Sequence, residues 1–153
     1  MSEPAVPAQE SLAFSALVLA LAGELVQGIH DRVVAAGFAD LRPAHGFAFA
    51  RISHGGATTA ELAGHLGVTK QAAAQLVDEL VRKGYVERTP HPTDARARLL
   101  RLTEHGWACT RAADAAAVEA VAPFRELLGP ERFAALVRDL AALGPKGPIR
   151  PTW

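Results

Sequence analysis

The sequence predicts a mainly α-helical protein, and two observations support this class. Half of the 153 residues are hydrophobic, with much alanine and leucine and few aromatic residues, which favours helices over a β-sandwich. Apolar residues recur at spacings of three and four along several segments, as they do on one face of a helix. The single cysteine, Cys109, excludes an internal disulfide framework and fits a reducing compartment. The length suits one domain with a real core.

The first predicted helix covers residues 11–36 and follows a proline-containing N-terminus, residues 1–10, that we expect to be flexible. Its apolar stripe needs a partner surface, either within the domain or on a second copy. We favour a dimer interface, because the other elements look too short to cover the stripe. The apolar run over residues 12–22 is too short to span a bilayer and lacks a preceding basic residue, so we expect a cytoplasmic protein without membrane contact.

A second helix is predicted over residues 43–53, with Pro43 in its first turn. Two shorter helices follow. Thr58 and Glu61 have the spacing of a capping box, and Thr69 can cap a helix from Lys70 to Lys83. Two helices joined by a short turn that contains glycine form a helix-turn-helix.

The next segment predicts a β-hairpin. Residues 85–89 and 96–102 look extended, and the prolines between them indicate a turn. Attached to a helix-turn-helix, such a hairpin is a wing. Residues 59–103 carry 7 basic and 5 acidic side chains, whereas the segments before and after carry no excess of positive charge. Positive charge is therefore concentrated mildly in this part of a neutral chain.

Two helices complete the prediction. Thr103 can cap a long helix that runs to about Leu128, and we expect Pro123 to kink or break it. Gly129 and Pro130 open a last helix that ends near residue 143. The proline-rich tail, residues 144–153, is expected to be flexible or loosely docked.

The stretches ELAGHLGVTKQAAAQLVDELVRKGYVER and HPTDARARLLRLTEHG resemble the helix-turn-helix and wing of the MarR (multiple antibiotic resistance regulator) family. The family's wing reads Asp-Pro-x-Asp-x-Arg; Pro92, Asp94 and Arg96 match it, while His91 replaces the first Asp. The resemblance implies a homodimeric transcriptional regulator, commonly a repressor, that binds a pseudo-palindromic operator in double-stranded DNA. It also implies dimerisation helices at 11–36 and 104–143 around a winged helix-turn-helix lobe at 43–103, with no cofactor.

The same resemblance indicates which residues would contact DNA. The N-terminal part of the recognition helix offers glutamine for adenine, lysine for guanine and a threonine for phosphate. In the wing, Arg96 would enter the minor groove, Asp94 would hold its guanidinium, and Arg98 and Arg88 would meet phosphates. The alternative is an ordinary solvated face with weak surface ion pairs. The full set is Thr69, Lys70, Gln71, Gln75, Arg88, Asp94, Arg96 and Arg98.

Repressors resembling this chain respond to a small, often aromatic or anionic effector. The candidates for such a site are Phe14, Arg42, His45, Phe49, Arg51 and Trp107, although apolar residues at helical spacing are usually core. A redox role for Cys109 and a histidine metal site are weaker alternatives, and we predict no metal.

Two rival functions remain open. One is a winged-helix module for protein interaction or dimerisation that does not bind DNA. The other is an enzyme, for which the phosphate-loop and nucleophile-elbow motifs are absent from the sequence. We therefore predict a regulator rather than an enzyme.

Overall fold

The computed structural model describes residues 7–144. The predicted flexible segments therefore lie largely outside the described residues, namely residues 1–6 and the tail beyond Gly144. Six helices and two strands are described: α1 Ala8–Ala35, α2 Pro43–Ser53, α3 Thr59–Leu66, α4 Lys70–Arg82, β1 Val86–Pro90, β2 Arg98–Leu102, α5 Glu104–Leu128 and α6 Pro130–Leu143. The fold is mainly helical with a winged helix-turn-helix, as the sequence predicted.

The N-termini of three helices are capped as the sequence predicted. The hydroxyl of Thr58 accepts from the backbone N–H of Glu61, whose carboxylate accepts from the N–H of Thr58 in return. Thr69 and Thr103 each accept from the N–H three residues on, both at 3.1 Å. Such caps satisfy N–H groups that the helix cannot, and each stabilises its helix by about 1 kcal/mol.

The wing is a two-stranded antiparallel sheet in which Val86 pairs with Leu102 and Pro90 with Arg98. Ala57, before α3, extends it by a two-hydrogen-bond bridge to Leu100. Gly56 allows this approach, because a Cβ there would lie 2.8 Å from the carbonyl oxygen of Leu100 and its φ is +86°. The wing is thus attached to the body through its second strand. The second strand is shorter than predicted, since residues 96 and 97 belong to the turn.

Helix α5 continues through Pro123, so the predicted break there is wrong. A proline removes one hydrogen bond of the helix, and the rest of this 25-residue helix is long enough to continue without it. The first turn of α5 lies against the start of the wing, where Gly106 faces the backbone of Tyr85. This contact leaves no room for a side chain at position 106.

The core lies between α2, α3, α4, the wing, the C-terminal part of α1 and the first half of α5. Its residues include Leu41, Phe49, Ile52, Leu62, Leu66, Val77, Leu80, Tyr85, Leu100 and Leu102. Helix α4 buries Ala73, Val77 and Leu80 as predicted, with Leu76 only partly covered. The core therefore belongs to the winged helix-turn-helix lobe and to the helix segments that support it.

Helix α1 begins at Ala8, three residues earlier than predicted, so residues 8–10 are helical. Only its C-terminal part is covered: it packs on α5, with Val33 buried, while residues 7–24 are all exposed. Leu12 and Leu19 are 71% and 73% exposed. Helix α6 has no buried residue. Together these helices present a large apolar surface to solvent.

By length and composition alone, α1 could cross a membrane, since a stretch of 18 residues within it has a mean hydropathy of 1.8. The expectation that this apolar segment is too short to span a bilayer was therefore wrong. It counted only residues 12–22, whereas the helix has 28 residues.

Candidate functional site

The N-terminal end of α4 presents polar side chains to solvent. Lys70, Gln71 and Gln75 are exposed, and none of them has a hydrogen-bond or ion-pair partner among residues 7–144. Thr69 uses its oxygen to cap the helix, accepting from Ala72, and its O–H hydrogen remains available to donate. This end of the helix combines unpaired backbone donors with polar side chains.

The tip of the wing is organised by Asp94. Its carboxylate accepts the backbone N–H of Arg96 at 2.9 Å, and its carbonyl accepts the N–H of Ala97 at 3.1 Å. The expectation that Asp94 holds the guanidinium of Arg96 is wrong here, because the carboxylate caps the turn two residues on, as Asp commonly does. Within the described part of the chain, the guanidinium of Arg96 has no ion-pair partner.

The other two wing arginines differ. Arg98 begins the second strand, is exposed, and has no ion-pair partner among the residues the structure describes. Arg88 instead donates to Asp78 on α4. This pair ties the first strand to the helix and reduces the net charge that Arg88 offers to a phosphate, so its expected role is not supported. The contact does place the wing beside α4.

His91, where the family's wing has Asp, also acts within the turn. Its Nδ1 accepts the backbone N–H of Thr93 at 3.3 Å. An aspartate carboxylate in the same place would accept the same hydrogen. The replacement therefore keeps an acceptor at the start of the wing turn while removing a negative charge from it.

The expected effector residues do not converge. Phe49 is in the core and His45 is fully buried, whereas Phe14 and Trp107 are exposed on α1 and α5. Arg51 donates to the carbonyl of Gly56 at 2.8 Å. Of the expected set, only Arg42 lines a described cavity, of about 570 Å³, between α1 and the start of α2. The lining residues are Gly23, Val26, Gln27, His30, Arg42, Pro43 and Ala44.

A charged cluster that the sequence analysis missed lies beside this cavity; we call it the Glu79 network, made of Glu79, Arg42, His45 and Lys83. The Oε2 of Glu79 accepts from Nη2 of Arg42 at 2.6 Å and lies 3.4 Å from Nε2 of His45. Its Oε1 accepts from Nζ of Lys83 at 2.8 Å. The hydrogen bond from Lys83, assisted by the charge of Arg42, lowers the pKa of Glu79 to about 2.

His45 is the buried member of the network. Its Nδ1 accepts the backbone N–H of Arg42 at 3.0 Å, so the neutral ring carries its proton on Nε2, which faces Glu79. Burial lowers the pKa of His45, and the attraction of Glu79 opposes this only in part. His45 is therefore a structural member of the α2 N-terminus rather than a free ligand-binding group.

Cys109 is buried, and burial raises the pKa of its thiol to about 11. The reactive thiolate is therefore scarce at neutral pH, which does not support a redox role. No group of three or more metal-ligating side chains occurs within residues 7–144.

Comparison with known proteins shows what this geometry is similar to. A sequence model described as the MarR family matches residues 39–97. No curated protein matches the chain. Among solved structures, RV1404 from Mycobacterium tuberculosis is 27% identical, with a TM-score of 0.70 and 94% of each chain covered.

Two further structures share the fold. A mutant MarR from E. coli complexed with operator DNA is 23% identical, with a TM-score of 0.71, covering 92% of this chain and 100% of that one. The transcriptional regulator Tm0710 from Thermotoga maritima is 24% identical, with a TM-score of 0.64 and coverage of 86% and 92%. The MarR family model thus matches the winged helix-turn-helix segment of this chain, and the architecture around that segment is the one seen in solved MarR structures.

Proposed function

We propose that this chain is a cytoplasmic, sequence-specific DNA-binding regulator that acts as a homodimer and has no catalytic activity. The observation that carries the proposal is the polar N-terminal end of α4, on the helix that Asp78 and Arg88 join to the wing, in a chain similar to MarR family transcriptional regulators. Lys70, Gln71 and Gln75 on the helix, and Arg96 and Arg98 on the wing, have no partner within the described part of the chain. Their hydrogen-bonding capacity is free for a duplex.

The helix and the wing suit different parts of DNA. In the major groove, glutamine can bond adenine in a bidentate manner and lysine can bond guanine. The hydroxyl of Thr69 can donate to a phosphate at the helix N-terminus. Arg96, held on a turn that Asp94 fixes through the backbone, suits the narrow minor groove, while Arg98 suits the phosphate backbone. The similar E. coli MarR structure contains operator DNA, which supports this assignment.

We assign the dimer interface to α1, α5 and α6, and the DNA-binding lobe to residues 43–103. The exposed apolar face of α6, with Leu136, Val137 and Leu140, lacks a partner within one chain. The exposed apolar part of α1 also lacks a packing partner within the described part of one chain. Covering both against a second copy accounts for them better than a bilayer does, because insertion of α1 into a bilayer would leave the apolar face of α6 uncovered. A two-fold axis then places two recognition helices about 34 Å apart.

The cavity between α1 and α2 is our candidate effector site. Its volume falls within the range of about 300–1,000 Å³ that small-molecule sites occupy. Arg42 lies in its lining, where the pair with Glu79 balances part of its charge and its remaining N–H donors can bond an effector. We propose that effector binding there releases DNA, as in a ligand-responsive repressor. The remaining expected effector residues, which lie in the core or on other surfaces, are not part of this site.

The test is selection of bound fragments from genomic DNA by the purified protein, followed by fluorescence anisotropy on the selected duplex. We expect a two-fold symmetric consensus and an affinity that falls steeply with salt. Lys70→Ala is compared with a matched control, Arg82→Ala, which removes an exposed basic side chain from the opposite end of α4. Salt-sensitive binding that only the first variant weakens supports the proposal. A chain that binds no duplex even at low salt would instead be a winged-helix module for protein interaction or dimerisation.

A further inference from the structure

The Glu79 network joins the second half of α4 to the connection between α1 and α2. Glu79 and Arg42 are 37 residues apart in the sequence, and their charge-assisted hydrogen bond is 2.6 Å long. Lys83, just after α4, also donates to the carbonyl oxygen of Asp40, and Tyr85 donates to the Asp40 carboxylate at 2.7 Å. The connection is thus held to the C-terminal end of α4 at several points.

The members of the network differ in exposure. The His45 side chain is fully buried, those of Glu79 and Lys83 are 22% and 24% exposed, and that of Arg42 is 63% exposed. Partial burial strengthens a charged hydrogen bond relative to one in open water. Arg42 closes the network from the side of the α1–α2 cavity.

Glu79 lies far from the residues that we assign to base contacts. Nine residues separate it from Lys70, which is about 13 Å along the helix axis at 1.5 Å per residue. Its carboxylate is also occupied by three neighbours. An effect of Glu79 on base recognition must therefore pass through the orientation of α4.

We propose that Glu79 is a positioning residue for DNA recognition: it fixes α4 against the α1–α2 connection and thereby aligns Lys70, Gln71 and Gln75 with the bases. This inference rests on the proposed function. Over a lever of about 13 Å, a rotation of about 5° at Glu79 moves the helix tip by about 1 Å. Bidentate hydrogen bonds to bases tolerate little of such a shift, since bonds weaken steeply outside about 2.7–3.2 Å.

The wing responds differently to the same rotation. Arg96 and Arg98 are long, exposed side chains that we assign to the minor groove and to the phosphate backbone rather than to bidentate base contacts, so they adjust to small displacements. Loss of the Glu79 contacts should therefore reduce discrimination between sequences while leaving the sequence-independent affinity in place. A residue that only stabilises the fold would lower the active fraction and so affect both kinds of binding equally.

The experiment compares Glu79→Gln with Glu87→Gln, which removes the same charge from the exposed first strand of the wing. Anisotropy titrations of the intact protein use the selected duplex and a scrambled duplex of equal length, over a series of salt concentrations. We expect Glu79→Gln to lower the affinity for the selected duplex roughly tenfold, within the usual range for coupling between sites. Its affinity for the scrambled duplex should not fall, and its salt slope should stay unchanged.

The control variant should bind both duplexes at least as tightly as the wild type, because losing a carboxylate lowers repulsion from DNA. Arg42→Gln removes the same ion pair from its exposed side. It therefore tests the same contact in case Glu79→Gln folds poorly. If Glu79 acts through Arg42, the double variant should lose no more discrimination than the worse single variant. Urea unfolding confirms that each variant is folded in the assay.

Three results would each overturn a statement. A wild-type chain that discriminates between the duplexes, together with Glu79→Gln and Arg42→Gln variants that discriminate equally well, overturns this inference alone. A wild-type chain that binds neither duplex overturns the proposed function, and this inference with it. Equal losses on both duplexes would show a purely structural role for Glu79 and would also overturn the inference.

Discussion

Replacing Gly106 with alanine places a methyl group against a backbone that cannot move aside cheaply. A Cβ at this position would lie 2.2 Å from the carbonyl oxygen of Tyr85 and 3.3 Å from the Cβ of Leu102. That carbonyl accepts the backbone N–H of Thr103 at 3.0 Å, while the Thr103 hydroxyl donates to the carbonyl of Gly84 at 2.6 Å. The start of α5 must therefore separate from the start of the wing.

The cost follows from the contacts that this separation breaks. Overpacking costs about 1–3 kcal/mol, a lost backbone hydrogen bond about 1 kcal/mol and a weakened cap about 1 kcal/mol. Alanine offsets this by about 1 kcal/mol through its higher helix propensity. We expect Gly106→Ala to lower the free energy of unfolding by roughly 2–4 kcal/mol, as the sum of those contributions.

Urea unfolding at one fixed protein concentration measures this difference, since self-association would make stability depend on concentration. The matched control is Gly46→Ala in α2, where a Cβ meets nothing within 4 Å. We expect that variant to be more stable than the wild type by up to about 1 kcal/mol. A Gly106→Ala variant as stable as the wild type would refute the close approach of α5 to the wing.

Three further predictions concern DNA, acid and the thiol. We expect Arg96→Ala to weaken operator binding roughly tenfold, about 1.4 kcal/mol, without lowering dimer stability in sedimentation; unchanged anisotropy would remove its role in the wing. The folded state lowers the pKa of His45 below 6.5 and that of Glu79 from 4.5 to about 2, so both favour the fold at higher pH. Their stabilisation is lost as pH falls from about 6.5 toward about 2, and Glu79→Gln should flatten the lower part of that loss in urea titrations. Cys109, with its pKa raised to about 11, should react with iodoacetamide only after unfolding; rapid labelling of the native protein at neutral pH would contradict its burial.

The sequence predicted best the features that depend on neighbouring residues. The caps at Thr58, Thr69 and Thr103 join atoms within three residues, so spacing alone identifies them. Glycines also marked the helix ends, as Gly67 shows with its left-handed conformation after α3. The helix-turn-helix and the wing were predictable for this reason, while their edges shifted by a few residues.

The sequence predicted less well the partners that lie far apart in the chain. Arg88 and Asp78 are 10 residues apart and meet across two elements, whereas Arg42 and Glu79 are 37 apart. No periodicity encodes such meetings, because they depend on how α4 sits against the wing and against α2. At Asp94 the prediction failed for a local reason. The carboxylate accepts the backbone N–H of Arg96, two residues on, instead of pairing with the guanidinium of Arg96 as expected.

The apolar surface on α1 and α6 also bears on how much active protein a cell can hold. With dimerisation as proposed, folding and assembly form one equilibrium, and each chain shields the other. At low protein concentration a larger fraction of the chains is monomeric, and proteases can then cleave the exposed apolar helices. The concentration of dimer should therefore rise more than proportionally with the rate of synthesis. Below a certain rate of synthesis, too little dimer would be present to regulate transcription.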